Sequence, residues 1–335
     1  MRIALVTDAW YPQVNGVVRT WNRVIDEAES MGHSFRVIAP RDFRTVPLPT
    51  YAEIRIAINP QRGVRRAIEA FRPDAIHIAT EGPLGLAARR LCLKRGWPFT
   101  TSYHTRFPEY VSARIPVPLS WGYRAVRWFH APSSAVLVPT PSILKDLEGR
   151  GFRALRQWTR GVDTELFRPD GPRALDLPGP VFMYVGRVAV EKNLPAFLDL
   201  DLPGTRVVVG GGPDLERLIR AYPDVRFTGP KFGQDLAAHF RSADVFVFPS
   251  LTDTFGLVLL EAMASGVPVA AFPVPGPLDV VGSDGPGVLD NDLRRAALAA
   301  LEIDAARCVD HARGYSWRAC AEIALDAFTA IGGTR

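Results

Sequence analysis

Residues 247–272 read VFPSLTDTFGLVLLEAMASGVPVAAF, a pattern of buried strand, acidic loop, helix and buried strand. Residues 245–248 (VFVF) are a short apolar run of strand formers stopped by Pro249 and Ser250, and 267–271 (VPVAA) are a second run after Gly266. Between them the spacing predicts a helix over 257–265, with Gly256 near its start and Gly266 as its C-cap. Asp253 stands just before that helix and Glu261 about two turns into it, so at about 1.5 Å per residue their backbones are roughly 12 Å apart. That is too far for a general acid/base pair. It suits gripping the two ends of a folded nucleotide-sugar, with the diphosphate over the exposed N–H groups at Phe255, Gly256 and Leu257. A solvated Asp in an N-cap loop and a surface Glu would explain either carboxylate alone. Against that, Glu261 is the one charge between Phe255 and Phe272, where an unpartnered carboxylate would be costly.

The same alternation extends upstream. Strands are predicted at 181–185 (VFMYV), 206–210 (RVVVG) and 225–228, with helices at 215–221 and 236–242. Gly186-Arg187 follows the first of these strands directly, and Lys192 comes five residues after Arg187. Two cations at a strand end suit a diphosphate, because each can neutralise its oxygens as charge develops on a leaving group; solvated charges at a helix start are the plainer account. Downstream, 273–281 reads as a loop and short helix, 292–301 as a helix, and 317–331 as an amphipathic terminal helix.

The first half opens with a parallel-type strand at 2–7 (RIALVT), a loop containing Asn15-Gly16, and a helix over 17–31, the start of a βαβ unit. Further strands are predicted at 34–39, 53–58, 75–78, 99–103 and 135–139, with a helix at 60–71 and another that Ser142 caps and that runs to 150. Glu81 follows the strand at 75–78, and His104 and Arg106 follow the strand at 99–103; open α/β sheets bind ligands at such carboxyl ends. Glu81 could touch a substrate hydroxyl, although a carboxylate serving the dipole of the next helix is simpler. No Gly-x-Gly-x-x-Gly follows the first strand, which disfavours a dehydrogenase. Residues 115–130 (IPVPLSWGYRAVRWFH) combine Trp121, Trp128 and Phe129 with Arg124 and Arg127, a composition suited either to a lipid interface or to a helix with buried rings and wet arginines.

At 335 residues, 47% hydrophobic and 22% charged, the chain has room for two cored domains. Residues 1–170 carry 25 Lys and Arg against 15 Asp and Glu, while 171–335 carry 15 against 20. A basic half joined to an acidic one points to an anionic membrane surface met by the first half, with no nucleic-acid partner. No apolar run reaches transmembrane length, and the opening MRIALVTDAW is too short and acidic for a signal peptide, so the expected location is cytoplasmic, with peripheral attachment to the membrane face. Cys92, Cys308 and Cys320 lack metal-ligand spacing and read as buried free thiols.

The run from Asp253 to Val269 resembles the Glu-x7-Glu motif of retaining glycosyltransferase family 4, with Asp253 where that family usually has its first Glu. Arg160-Gly161-Val162-Asp163 and Phe167-Arg168-Pro169 are similar to the family's interdomain linker. The resemblance implies the GT-B fold: α/β, two doubly wound Rossmann-like domains facing a cleft, over 1–170 (acceptor side) and 171–314 (nucleotide-sugar side), with 315–335 returning to the first. It implies a nucleoside-diphosphate sugar donor, UDP- or GDP-linked, and a hydroxyl acceptor that is a lipid such as diacylglycerol or a glycan. Arg187 and Lys192 match its phosphate-binding pair, His104 its sugar-contacting His, and Gly16 a loop near phosphate and acceptor. Lys231 falls in the segment offered to the nucleobase, Asp253 is assigned to the sugar and Glu261 to the ribose hydroxyls. Glu81 and Arg106 are further candidates for substrate contact. No metal and no cofactor are implied. A sugar-nucleotide epimerase or a catalytically silent binder on the same fold are the alternatives from other classes.

Overall fold

The computed structural model describes all residues except 14, 49–50, 113–117 and 332–335, and the side chains of 51–54 and 110–111 are likewise outside the description. Residues 115–117, the expected lead into the aromatic helix, therefore lie outside the described residues. The chain forms two compact units, Met1–Arg160 with Trp317–Arg335, and Gly161–Ser316. The crossing comes after Arg160, not near Asp170. Val162 N already donates to Tyr315 O at 3.1 Å inside the second unit, and the turn at Gly171-Pro172 is held there by Arg241 Nε donating to Pro172 O at 2.8 Å.

In the first unit the strands are β1 (Arg2–Val6), β2 (Ser34–Ile38), β3 (Thr45–Leu48), β4 (Tyr51–Ala57), β5 (Ala75–Ile78), β6 (Thr100–Ser102), β7 (Ala135–Val138) and β8 (Leu155–Gln157). The helices are α1 (Gly16–Ser30), α2 (Gln61–Phe71), α3 (Pro83–Arg95), α4 (Phe107–Ser112), α5 (Leu119–His130) and α6 (Pro141–Gly149). Six strands form a parallel sheet in the order β2-β1-β5-β6-β7-β8. The expected third strand pairs instead with β3 as an antiparallel ribbon outside this sheet, with Val46 opposite Ile56. α6 is capped by Thr140, whose Oγ1 accepts from Ile143 N at 3.4 Å, and not by Ser142; Pro141 at the first helical position sets that start.

The second unit holds β9 (Val181–Val185), β10 (Thr205–Val209), β11 (Arg226–Gly229), β12 (Val245–Phe248), β13 (Val269–Ala271) and β14 (Gly287–Leu289). Its helices are α7 (Pro195–Leu198), α8 (Leu215–Ala221), α9 (Gly233–Phe240), α10 (Leu257–Ala264), α11 (Pro275–Val280), α12 (Leu293–Ala300) and α13 (Ala305–Arg313). The sheet order is β11-β10-β9-β12-β13-β14, all parallel, the doubly wound arrangement whose strand order reverses between β9 and β12. Strand periodicity builds two cores from one sheet: Val181, Met183, Val185, Phe246 and Phe248 face one side, and Phe182, Tyr184, Val245 and Val247 face the other.

The last helix, α14 (Trp317–Ala327), belongs to the first unit. Its Cys320, Ala321, Ala324 and Ala327 pack with Trp21 and Val24 of α1 and with Trp158, whose Nε1 donates to Cys320 O at 2.9 Å. Cys92, Cys308 and Cys320 are free and buried, and burial pushes each thiol up to about 12.

Candidate active site

Ligands of doubly wound sheets sit beyond the strand carboxyl ends at the point where strand order reverses. In the second unit those ends are β9 and β12, and the loops leaving them carry Arg187 and Lys192 on one side and Asp253 on the other. The loops are stitched together. Asn193 Nδ2 donates to Pro249 O at 3.1 Å, and Lys192 Nζ donates to both oxygens of Asp253, at 2.6 and 2.8 Å. The two side chains are each 18% exposed, so this is a partly desolvated, two-pronged ion pair at the surface of the site. The β9 loop is shaped by close backbone approach: a Cβ on Gly210 would stand 1.8 Å from Gly186 O, so this position admits only glycine. Tyr184 Oη donates to Arg187 O at 2.8 Å and fixes the turn that presents Arg187.

α10 starts at Leu257, with Gly256 as N-cap in the left-handed region (φ +83) and no side chain closing the cap. The dipole of α10 favours negative charge at this end. The Phe255 ring is buried, edge-on to Tyr315 at 6.2 Å. Beneath the loop, Gly276 of α11 packs so closely that a Cβ there would meet Asp253 O at 3.0 Å and Phe255 O at 3.1 Å. Glu261 lies on α10 with 5% exposure, a buried carboxylate in a helix otherwise built of apolar residues. Lys231, after β11, pairs with Asp235 at 3.2 Å.

In the first unit strand order reverses between β1 and β5. Asp8 follows β1 and Thr80-Glu81 follow β5. Asp8 caps α3, accepting from Leu84 N at 2.9 Å, Gly85 N at 3.2 Å and Thr80 Oγ1 at 2.9 Å. Burial still raises the Asp8 carboxyl above its usual range, despite those bonds. Glu81 instead meets the buried His130, with Nε2 to Oε1 at 3.2 Å. Arg106 is held between Glu109 (3.7 Å) and Asp146 (3.5 Å), so its charge is balanced within the unit. Gly16 is the first residue of α1, and Asn15 is the N-cap, accepting from Val17 N and Val18 N at 3.0 and 3.1 Å. A Cβ on Gly16 would meet nothing within 4 Å, so the fold makes no steric demand for glycine there.

His104 sits past the end of β6 in an aromatic pocket made by Trp21 and Trp158, at ring separations of 6.2 and 5.6 Å. Trp21 Nε1 donates to His104 Nε2 at 3.0 Å. Indole and guanidinium can both only donate, so the 3.0 Å bond to Nε2 and the longer 3.5 Å approach of Arg160 to Nδ1 compete for the one bare nitrogen of the neutral ring, and the shorter favours a bare Nε2. Desolvation first, then the Arg160 guanidinium 3.5 Å from Nδ1, hold His104 well below its ordinary value and keep it uncharged. Arg160 is itself buried, stacked on Trp158 at 4.1 Å and donating to Trp158 O and Thr159 O at 2.7 and 2.9 Å; burial lowers it to about 10. Asp8, Trp21 and Arg160 escape the sequence reading. Asp8 had a visible signal, a carboxylate immediately after the first strand, whereas Trp21 and Arg160 meet His104 across 83 and 56 residues of chain.

On α5 the rings divide: Trp121 is 60% and Trp128 53% exposed, while Phe129 is buried in the core against Leu84 and Ala88 and cannot join a lipid-facing set. No helix among the described residues is long and apolar enough to cross a membrane, and among them no cluster of His, Cys, Asp or Glu is arranged to hold a metal ion.

Comparison with known proteins matches residues 14–166 to the model of Glycosyltransferase Family 4 and residues 179–303 to that of Glycosyl transferases group 1. A GDP-mannose-dependent alpha-mannosyltransferase of Mycobacterium tuberculosis is 32% identical over 318 residues, covering 86% of this chain and 83% of the relative. An alpha-monoglucosyldiacylglycerol synthase of Streptococcus pneumoniae is 28% identical, covering 90% and 78%. Among solved structures, sucrose-phosphate synthase from Thermosynechococcus elongatus has a TM-score of 0.78 at 20% identity, covering 97% of both chains, and shares the pair of parallel-sheet α/β domains.

Proposed function

Because the chain belongs to glycosyltransferase family 4, with the two Rossmann-like domains of the GT-B fold, we propose that it transfers a hexose from a nucleoside-diphosphate sugar to a hydroxyl of a membrane lipid such as diacylglycerol, with retention at the anomeric carbon. The observation that carries this reading is the pairing of Lys192 with Asp253 beyond β9 and β12, where strand order reverses, on the loops that also carry Arg187 and lead into α10. A diphosphate placed there takes Lys192, Arg187 and the N–H groups of Gly256 and Leu257, so cations and helix dipole stabilise the charge that grows as the anomeric C–O bond breaks. No divalent metal is needed for that neutralisation in this proposal. Asp253 is released to a sugar hydroxyl and Glu261 binds the ribose. The acceptor oxygen bonds to the anomeric carbon on the face the diphosphate leaves, and the acceptor proton goes to a departing phosphate oxygen. His104, kept neutral by burial and by Arg160, contacts the sugar.

GDP-mannose is the donor to try first, since the mycobacterial relative is named for it; UDP-glucose is the second. The lipid acceptor draws on the name of the pneumococcal relative and on the exposed Trp121 and Trp128 beside Arg124 and Arg127 on α5, a composition that lies well at an anionic interface. Retention is tested by the anomeric proton coupling of the purified product in NMR. An α-linked glycolipid from an α-linked donor is expected, and a β-linked product overturns the stereochemical part of the proposal.

A further inference from the structure

Beside the C-terminal end of α5, in the first unit, lies a crevice of about 280 Å³ lined by Arg124, Arg127, Trp128, Gly151, Phe152 and Arg153. Three guanidinium groups border it and no Asp or Glu does. Arg127 has a structural duty, since its Nη1 donates to Arg150 O at 2.9 Å just past the end of α6, an ordinary place for a cation. Arg124 and Arg153 have none. Both are exposed, and among the described residues neither makes an ion pair or side-chain hydrogen bond. The carbonyls that close α5 are covered as well: Arg89 donates to Phe129 O and Trp128 O at 2.9 Å each, and its guanidinium lies 3.9 Å from the centroid of the Trp128 ring. An anion in the crevice thus faces three guanidinium groups and one indole.

The surroundings say where such an anion comes from. Trp121, Arg124 and Trp128 are spaced three and four residues apart and share one face of α5, with both indoles more than half exposed. Indoles beside guanidinium groups settle at the headgroup level of a bilayer, and planar guanidinium forks pair with phosphate oxygens better than point-charge ammonium groups do. We propose that the crevice lined by Arg124, Arg127 and Arg153 holds the phosphate of an anionic membrane lipid, and so docks α5 with Trp121 and Trp128 in the interface. The inference rests on the membrane-acceptor reading above and names the lipid chemistry that the first unit recognises.

The test is flotation of the full chain with vesicles of phosphatidylcholine alone and of phosphatidylcholine with phosphatidylglycerol. Wild type floats with the anionic vesicles only, and Arg124→Gln with Arg153→Gln binds them roughly thirtyfold more weakly, from about 1 kcal/mol per cation at an anionic surface. Arg62→Gln with Arg66→Gln, an equal loss of charge on α2, stays much closer to wild type, and unchanged thermal melts certify the fold of both variants. Equal losses for the two pairs overturn the crevice while leaving membrane binding intact. No flotation of wild type with either vesicle removes the membrane reading itself. Glycerol 3-phosphate binding the chain in calorimetry without vesicles as tightly as lipid does, and lost in the Arg124/Arg153 variant, overturns the lipid as the source of the phosphate.

Discussion

Lys192 Nζ lies 2.6 and 2.8 Å from the two carboxylate oxygens of Asp253, so the residue proposed to grip the phosphate and the residue proposed to grip the sugar hold each other. In the proposed function donor binding divides this pair, the diphosphate taking the cation and a sugar hydroxyl the carboxylate. The ion pair tethers the loops leaving β9 and β12 and gives a partly buried carboxylate its counter-charge.

The competition gives an outcome opposite to that of ordinary site mutations. Asp253→Asn frees Lys192, so free GDP or UDP should bind a few-fold more tightly, by about 1 kcal/mol for a partly exposed pair, while turnover falls by about a hundredfold or more. Lys192→Ala should weaken nucleotide binding at least about tenfold. Calorimetry with the free nucleotide reads both. Weaker nucleotide binding by Asp253→Asn would mean that the carboxylate supports the phosphate site and does not compete for it.

Two donor-only groups meet the His104 ring, Trp21 at 3.0 Å on Nε2 and Arg160 at 3.5 Å from Nδ1, and the shorter contact sets the tautomer. Nitrogen chemical shifts of the His104 ring should show a bare Nε2 and a protonated Nδ1, as the 3.0 Å bond from Trp21 requires. Trp21→Phe removes that donor from a buried acceptor, at about 1–3 kcal/mol of stability, and lets the proton redistribute between the nitrogens. A wild-type ring carrying its proton on Nε2 contradicts the geometry.

Stability should fall as the first unit is acidified. His77 is buried, between Thr100 Oγ1 and Ser102 Oγ at 2.8 and 3.1 Å, and desolvation lowers it from 6.5 to about 3. Desolvation also holds His104 well down. Both imidazoles bind a proton in the unfolded chain below pH 6.5 that the folded chain refuses. The unfolded state therefore gains as pH drops through that value, by up to about 1.4 kcal/mol per pH unit for each ring, and the stability is regained as pH rises. Urea midpoints measured from about pH 7 down to about pH 5 should decline steadily, and less steeply in His77→Gln; a flat profile contradicts the burial of neutral rings.

Asp8 joins the end of β1 to the start of α3, accepting two backbone N–H bonds and one from Thr80. Asp8→Ala should cost about 2 kcal/mol or more, since it strips the cap from α3 and leaves donors unpaired, whereas Glu81→Ala, which touches only His130, should cost less. Denaturant melts rank the two. A larger loss for Glu81→Ala would contradict the assignment of the cap to Asp8.

What could be read from the sequence follows the reach of each interaction. β9, β12 and α10 were legible because apolar runs punctuated by Gly186, Pro249, Gly256 and Gly266 announce strand, turn and helix locally. Arg187, Lys192 and Asp253 were legible as loop residues at strand ends, but their pairing was not, since Lys192 and Asp253 are 61 residues apart and only the β9–β12 pairing brings them together. Asp8 reaches Leu84 across 76 residues in the same way. The segment holding β4 carries the same apolar alternation as a sheet strand, and only its antiparallel pairing with β3 shows that it stands outside the sheet. For Phe129 the composition of α5 gave no hint of which rings turn inward, because the core that buries it is gathered from residues distant in the chain, among them Val6, Ile78 and Leu84.

The central claim is tested most directly by following nucleoside diphosphate release in EDTA from GDP-mannose and from UDP-glucose, each with and without diacylglycerol in mixed micelles. The account predicts release from one donor that depends on the lipid and is matched by a glycolipid product. Release of equal size without acceptor, or binding of both donors with no release under any condition, would contradict it.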